Sequence, residues 1–250
     1  MREFIYGRNA VYETLRARRR HVFGLEIAEG AQEKGRLQDI LKMAAQRKIA
    51  VRRVPRSRLE KVNANHQGVL LEASAYPYRE LTDILEVAEK RSEPLFVLLL
   101  DTLNDPQNFG SLLRTAEIVG VHGVVIPLRQ TVTVTPAVVN ASAGASEHLL
   151  VAQANLHQAI EELKKAGAWM VGLEGGEQAT GAERVRLDGA LGLVVGSEGE
   201  GMRPLVAKSC DILMKLPMRG QIESLNAAVA GSVALYMALM ARQKTDSKIS

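Results

Sequence analysis

Hydrophobic and polar positions divide the chain into two stretches with different rhythms. In the first, mixed patterning predicts a helix from about Asn9 to Arg19, a strand Val22 to Ala28, and a helix near Glu33 to Arg47. Strands Ile49 to Val54 and Gly68 to Ala73 complete a compact α/β unit. Tyr76-Pro77-Tyr78, a helix near Leu81 to Lys90 and Ser92-Glu93-Pro94 then read as a connection.

From Leu95 the strands become apolar throughout: Leu95 to Leu100, Gly123 to Ile126, Ala168 to Leu173 and Leu191 to Val195. Helical stretches such as Leu112 to Val119 and Leu156 to Ala166 separate most of them. Runs of that kind are buried on both faces, which predicts an α/β fold with a mostly parallel sheet covered by helices on both sides. Its ligands belong at the carboxyl ends of the strands. The expected organisation is a front domain over residues 1–75, a linker over 76–93, a second domain over 94–243 and a tail over 244–250.

Charge sharpens the division. Residues 1–75 hold 16 Lys and Arg against 8 Asp and Glu, and the remainder holds 16 against 20. A basic front on a mildly acidic body points to a polyanion handled by the first part and chemistry housed in the second. No apolar run approaches the length of a membrane span, and the first seven residues lack the apolar stretch of a secretory signal, so a cytoplasmic location is expected. Cys210 is the single cysteine, and histidines 21, 66, 122, 148 and 157 have no short ligand spacing, so no metal is expected.

Three blocks follow strand ends. In the first, Asp101 closes a strand, Asp105-Pro106 turns the chain, and Asn108 is placed to cap a helix beginning near Phe109. Arg114 falls early in that helix, where it opposes the helix dipole, so it calls for an anionic or polar partner. The second block, Gly196-Ser197-Glu198-Gly199-Glu200-Gly201, joins Leu191–Val195 to a short helix near Met202 to Lys208. Its glycines allow close approach of a ligand to backbone, and Glu198 is available to accept hydrogen bonds or orient Arg114. Its spacing matches neither a dinucleotide fingerprint nor a P-loop. In the third, the strand-like Ile212 to Leu216 leads through Pro217-Met218-Arg219-Gly220 to Ser224, a candidate cap for a helix Leu225 to Arg242. Asn226 in its first turn is costly unless hydrogen-bonded. The small residues Ala227, Ala230, Gly231 and Ala234 call for a tightly packed partner.

Asn108-x-Gly110-x-x-x-Arg114, Gly196 to Met202, and Leu216-Pro217-Met218 followed by Ser224-Leu225-Asn226 together resemble the SpoU (TrmH) branch of the SPOUT methyltransferases, over nearly the whole chain. The resemblance implies S-adenosylmethionine-dependent methylation of a ribose 2′-hydroxyl in RNA, a C-terminal trefoil knot and a homodimer. It implies that Gly196, Gly201, Leu216, Met218 and Leu225 hold the cofactor, while Asn108, Arg114, Glu198, Ser224 and Asn226 surround the ribose.

Phe4-Ile5-Tyr6-Gly7-Arg8-Asn9-Ala10-Val11 and His66-Gln67-Gly68-Val69 are similar to the ribosomal-protein-like substrate domain of the large-subunit rRNA guanosine methyltransferases. Arg8, Arg18, Arg19, Arg20, His66 and Gln67, with Arg52 and Arg53, are the expected RNA contacts, and 23S ribosomal RNA or a ribosome precursor is the expected substrate. A tRNA methyltransferase and a non-catalytic RNA-binding or ribosome-assembly protein are the alternatives.

Overall fold

The computed structural model describes residues 2–176, 178–197, 199–222 and 224–246. Tertiary contacts divide the chain into one unit of Met1–Pro77 with Thr133–His148, and another of Tyr78–Val132 with Leu149–Ser250.

The first unit begins β1 (Arg2–Tyr6), α1 (Arg8–Ala17), β2 (Val22–Ala28), α2 (Arg36–Gln46), β3 (Val51–Val54), α3 (Arg56–Glu60) and β4 (Val69–Ser74). Its sheet has the order β1-β4-β2-β3. β4 is antiparallel to both neighbours, and β2 runs parallel to β3. Leu37, Ile40 and Ala44 of α2 recur at helical spacing and are buried, as are Ala10, Val11, Thr14 and Leu15 of α1. β1 goes unrecognised in the sequence pattern because charged Arg2 and Glu3 open it and only Ile5 and Tyr6 are buried.

The chain continues through α4 (Leu81–Arg91), β5 (Phe96–Leu100), α5 (Pro106–Ile118), β6 (Gly123–Pro127), α6 (Pro136–Ala141), β7 (Val151–Ala154), α7 (Leu156–Lys165), β8 (Trp169–Leu173) and β9 (Thr180–Gly181). It ends with β10 (Leu191–Val195), α8 (Pro204–Ser209), β11 (Ile212–Lys215) and α9 (Ala227–Asp246). Seven strands form one parallel sheet in the order β7-β6-β5-β10-β8-β11-β9. Every residue of β5, β6 and β10 is buried, as their unbroken apolar runs require. α4 is no mere connection: Leu81, Ile84 and Ala88 sit in this unit's core beside Val97, Leu99 and Val125. Among the described residues, no helix is long and apolar enough to cross a membrane.

α6 and the turn Ala145–His148 lie between β6 and β7 in the chain but belong to the first unit. A buried ion pair ties the turn to it. Arg20 donates from Nε and Nη2 to the Glu147 carboxylate at 2.8–3.1 Å and from Nη1 to Glu3 at 2.6 Å, and the side chains of Arg20 and Glu147 are both 0% exposed. Arg19 donates to the Tyr76 hydroxyl at 3.2 Å and to the Glu147 carbonyl oxygen at 3.3 Å, and Tyr76 in turn donates to the Ser146 carbonyl oxygen at 3.1 Å. Burial pushes the Tyr76 hydroxyl up to about 12, so it remains a donor at every ordinary pH. The short α6, with two residues buried, gives too brief a periodicity to be read from sequence.

Candidate active site

The carboxyl ends of β5, β10, β8 and β11 are consecutive along one edge of the parallel sheet. Asp101, Gly196, Glu174 and Leu216 each stand immediately after, or next to, those ends.

The residue that caps α5 is Asp105 rather than Asn108: its carboxylate accepts from the backbone N–H groups of Gln107 at 3.3 Å and Asn108 at 2.9 Å, with Pro106 at the first helical position. The helix therefore starts three residues earlier than Phe109, and the Asn108 side chain is not needed for capping. Its Oδ1 accepts a hydrogen bond from Asn226 Nδ2 at 3.1 Å. Asn226 also does the work expected of Ser224, because its Oδ1 accepts from the N–H groups of Ala228 at 3.0 Å and Val229 at 3.1 Å. Ser224 and Leu225 lie ahead of this cap, and Leu225 is 41% exposed.

α9 begins close to α5 because one of its faces is small. A Cβ on Gly231 would meet Leu112 Cδ2 at 2.6 Å and Val195 Cγ2 at 3.2 Å, so a larger residue there has to displace packed side chains of α5 and β10. Ala227, Ala234 and Ala238 are buried on the same face, and the hydroxyls of Thr115 and Ser232 bridge the pair at 2.9 Å. Ala230 is only partly buried.

After β10 the backbone folds sharply on itself. Ser197 and Gly201 exchange backbone hydrogen bonds at 3.0 and 3.1 Å, and Gly201 has φ +67°. A Cβ on Gly196 would lie 2.3 Å from the Gly201 carbonyl carbon and 2.4 Å from Met202 N. Only glycine closes this turn. Glu198, Glu177 and Glu223 fall outside the described residues, so the expectation for Glu198 does too.

Asp101 holds the far side of the turn. Its buried carboxylate accepts from the Arg203 backbone N–H at 2.8 Å, from Nε at 2.8 Å and from Nη2 at 2.7 Å. Pattern reading treats Asp101 as a strand end. The available signal is a carboxylate closing an apolar run, which has to find donors if it is buried.

Arg114 is exposed on α5, six residues beyond Asn108, and no hydrogen bond or ion pair holds it among the described residues. Leu216 is half-buried, while Met218 is 43% and Ile222 75% exposed. The edge thus offers a glycine turn, exposed apolar side chains and a carboxylate, since Glu174 Oε1 lies 3.5 Å from where a Cβ on Gly201 would stand. That set offers apolar contact beside one negative charge. Among the described residues, no three His, Cys, Asp or Glu side chains gather as a metal site needs. Cys210, following α8, is no nucleophile: burial, then Asp211, pushes its thiol up to about 12.

The expected RNA contacts separate. Arg20 is enclosed in its ion pair, Arg19 is tied to Tyr76 and Glu147, and His66 is buried with Nδ1 accepting from Gly68 N–H at 2.8 Å. None of the three is placed to meet a phosphate as an open surface group. Arg18 is exposed at the left-handed end of α1, and Arg8 and Gln67 sit together.

Residues 95–236 match the SpoU rRNA Methylase family, and residues 4–79 match the family described as RNA 2′-O ribose methyltransferase substrate binding. The chain belongs to the SpoU/TrmH family of RNA 2′-O-ribose methyltransferases. It is 44% identical over 239 residues to YacO of Bacillus subtilis, a TrmH family tRNA/rRNA methyltransferase by name, covering 94% of each chain. The fold is similar to that of the SpoU methyltransferase AviRb from Streptomyces viridochromogenes, solved with AdoMet, at a TM-score of 0.79 and 20% identity, over 98% of this chain and 91% of that one. The A. aeolicus TrmH/SpoU tRNA modifying enzyme, 25% identical with a TM-score of 0.56, covers 66% of this chain and 84% of its own.

Proposed function

We propose that the enzyme transfers a methyl group from S-adenosylmethionine to the ribose 2′-hydroxyl of a guanosine in large-subunit (23S) ribosomal RNA, in the cytoplasm. The observation that carries this reading is the Asn226–Asn108 hydrogen bond, formed where the ends of β5 and β10 meet the start of α9. The rRNA assignment draws support from the front unit, residues 4–79, since the tRNA modifying enzyme above covers only 66% of the chain.

S-adenosylmethionine supplies an activated methyl carbon when bound. Gly196, Gly201, Leu216, Met218 and Leu225 surround it in this reading, with the Glu174 carboxylate complementing its positive charge. Asn108 and Asn226 position the ribose, and correct placement supplies much of the rate. Arg114 is always protonated, so it binds the phosphate or ribose oxygen beside the target and stabilises negative charge developing there. Glu198 or an RNA phosphate takes part in the departure of the hydroxyl proton, and Ser224 adds a hydroxyl to the same pocket.

A homodimer completes the reading. Val229, Val233, Tyr236 and Met240 recur at helical spacing on α9, opposite its small face, and are 42–56% exposed. A helix apolar on two faces needs a second partner, and a second copy of α9 supplies one. The trefoil knot belongs to the proposal as well, supported by the insertion of β10 between β5 and β8.

Incubation with methyl-labelled S-adenosylmethionine and either large-subunit rRNA or tRNA, followed by mapping of alkali-resistant linkages, tests it. Label on a ribose in 23S rRNA is expected. Label confined to tRNA, or RNA bound with no label transferred, overturns it.

A further inference from the structure

The first unit contains a cavity of about 540 Å³ whose polar lining is Arg8, Glu29, Gln32, Lys34, Arg56 and Gln67. Three cations face one carboxylate, so an anion is favoured. Arg8 is already in place. Its Nε donates to the Gln67 carbonyl oxygen at 3.1 Å, a terminal nitrogen to the Gln32 carbonyl oxygen at 3.5 Å, and its backbone N–H to Gln67 Oε1 at 2.9 Å. A guanidinium has five N–H donors, so three remain for a ligand after these two contacts. Arg56 makes an exposed pair with Glu60 at 3.2 Å, a contact of a kind that contributes little and yields to a phosphate.

The remaining lining narrows the ligand. Among the described residues, Ala28 and Ala31 are the apolar side chains of its lining, a poor anchor for a lipid or a hydrophobic peptide. The Gln32 and Gln67 side chains offer both donors and acceptors of the kind that read base edges. Gly30, at φ +72°, keeps one wall open, since a Cβ there would meet nothing within 4 Å. A concave site admits a base turned out of a single strand and excludes a stacked duplex.

We propose that this cavity takes one unpaired RNA nucleotide, its phosphate on Arg8, Lys34 and Arg56 and its base edge on the Gln32 and Gln67 amides. The proposal rests on RNA being the substrate. The subsite is separate from the methyl-transfer residues, all of which lie in the other unit, and so it governs which RNA is held rather than the chemistry performed.

The test uses the full-length protein, a dye-labelled short single-stranded RNA of mixed sequence, and fluorescence anisotropy across a salt series. The Lys34→Ala/Arg56→Ala double variant is expected to weaken binding about tenfold and to flatten the log–log salt slope by about 1.4, two phosphate contacts' worth. S-adenosylmethionine affinity and unfolding midpoint stay at wild-type values. Cross-linking of 4-thiouridine-substituted RNA is expected to label peptides containing residues 29–34 or Gln67. Wild-type binding with unchanged affinity and slope in the double variant overturns the subsite alone. A wild-type protein that neither binds RNA nor transfers a methyl group overturns the function beneath it. Binding of free GMP or inorganic phosphate that is lost in the variant, with RNA affinity untouched, reassigns the cavity to a free anion and overturns its role in RNA recognition.

Discussion

Asn226 serves two purposes at once: Oδ1 caps α9 through Ala228 and Val229, and Nδ2 reaches Asn108 Oδ1 at 3.1 Å across 118 positions of sequence. One side chain therefore marks where the last helix begins and ties that start to the first turn of α5.

These two purposes are separable. Asn226→Asp keeps an oxygen for the cap and removes the donor to Asn108, so methyl transfer falls at least about tenfold while the unfolding midpoint barely moves. Asn226→Ala lowers both, costing about 1 kcal/mol of stability for the lost cap. Comparison of kcat with thermal melting for the two variants checks this, and equal losses of activity and stability in Asn226→Asp would count against it.

Arg114→Lys keeps the charge but loses the planar fork of donors. Turnover is expected to drop by about 10²-fold, as for removal of one preorganised donor, with S-adenosylmethionine affinity unchanged. Wild-type turnover with an unchanged pH profile would rule out the role given to this guanidinium.

Glu147→Gln leaves Arg20 buried with only Glu3 as a charged partner. The loss is about 3 kcal/mol, read as a fall in the urea midpoint, because the guanidinium stays in the interior with its charge only partly balanced by Glu3. Replacing both residues, Arg20→Met with Glu147→Leu, restores most of the stability. Failure of the double variant to recover would mean that the hydrogen bonds to Glu3 and the Ser74 carbonyl oxygen matter more than the pair.

Acid is expected to destabilise the fold through His122 and His66. Burial holds the His122 imidazole below its ordinary range, against the opposing effect of Glu93, and burial followed by Arg56 does the same for His66. His122 Nδ1 accepts from Phe96 N–H at 2.9 Å, and Nε2 contacts Glu93 at 3.0 Å. As pH falls through about 6.5 the unfolded chain takes up protons that the folded chain resists, so stability present above that pH is lost toward the lower folded values. Urea midpoints measured from about pH 7.5 to 5.5 should fall, and fall less steeply for His122→Asn, which retains an acceptor near Nδ1.

How far the sequence reaches depends on the range of the forces involved. β2 and β10 have the ends that periodicity predicts, Val22–Ala28 and Leu191–Val195, because alternation and unbroken apolar runs are local consequences of burial. β7 and α6 escape notice because four and six residues provide little periodicity. The order of Asn108, Gly196 and Asn226 after strand ends is legible in the chain, as is the need of Asn226 for a partner. The capping role of Asp105, and the closure of Asp101 on Arg203, require the neighbours to be seen.

The amino-acid order alone set the parallel sheet, the basic front, and the small-residue face of the last helix, since each follows from the chemistry of residues near one another in the chain. Tertiary structure decided that Arg20, one of a run of arginines suited to RNA, lies inside against Glu147, while Arg8 and Lys34 of the same basic segment line an open cavity. Charge is written in the sequence, but its availability depends on desolvation and on a counter-ion 127 residues away, and both are properties of the folded chain.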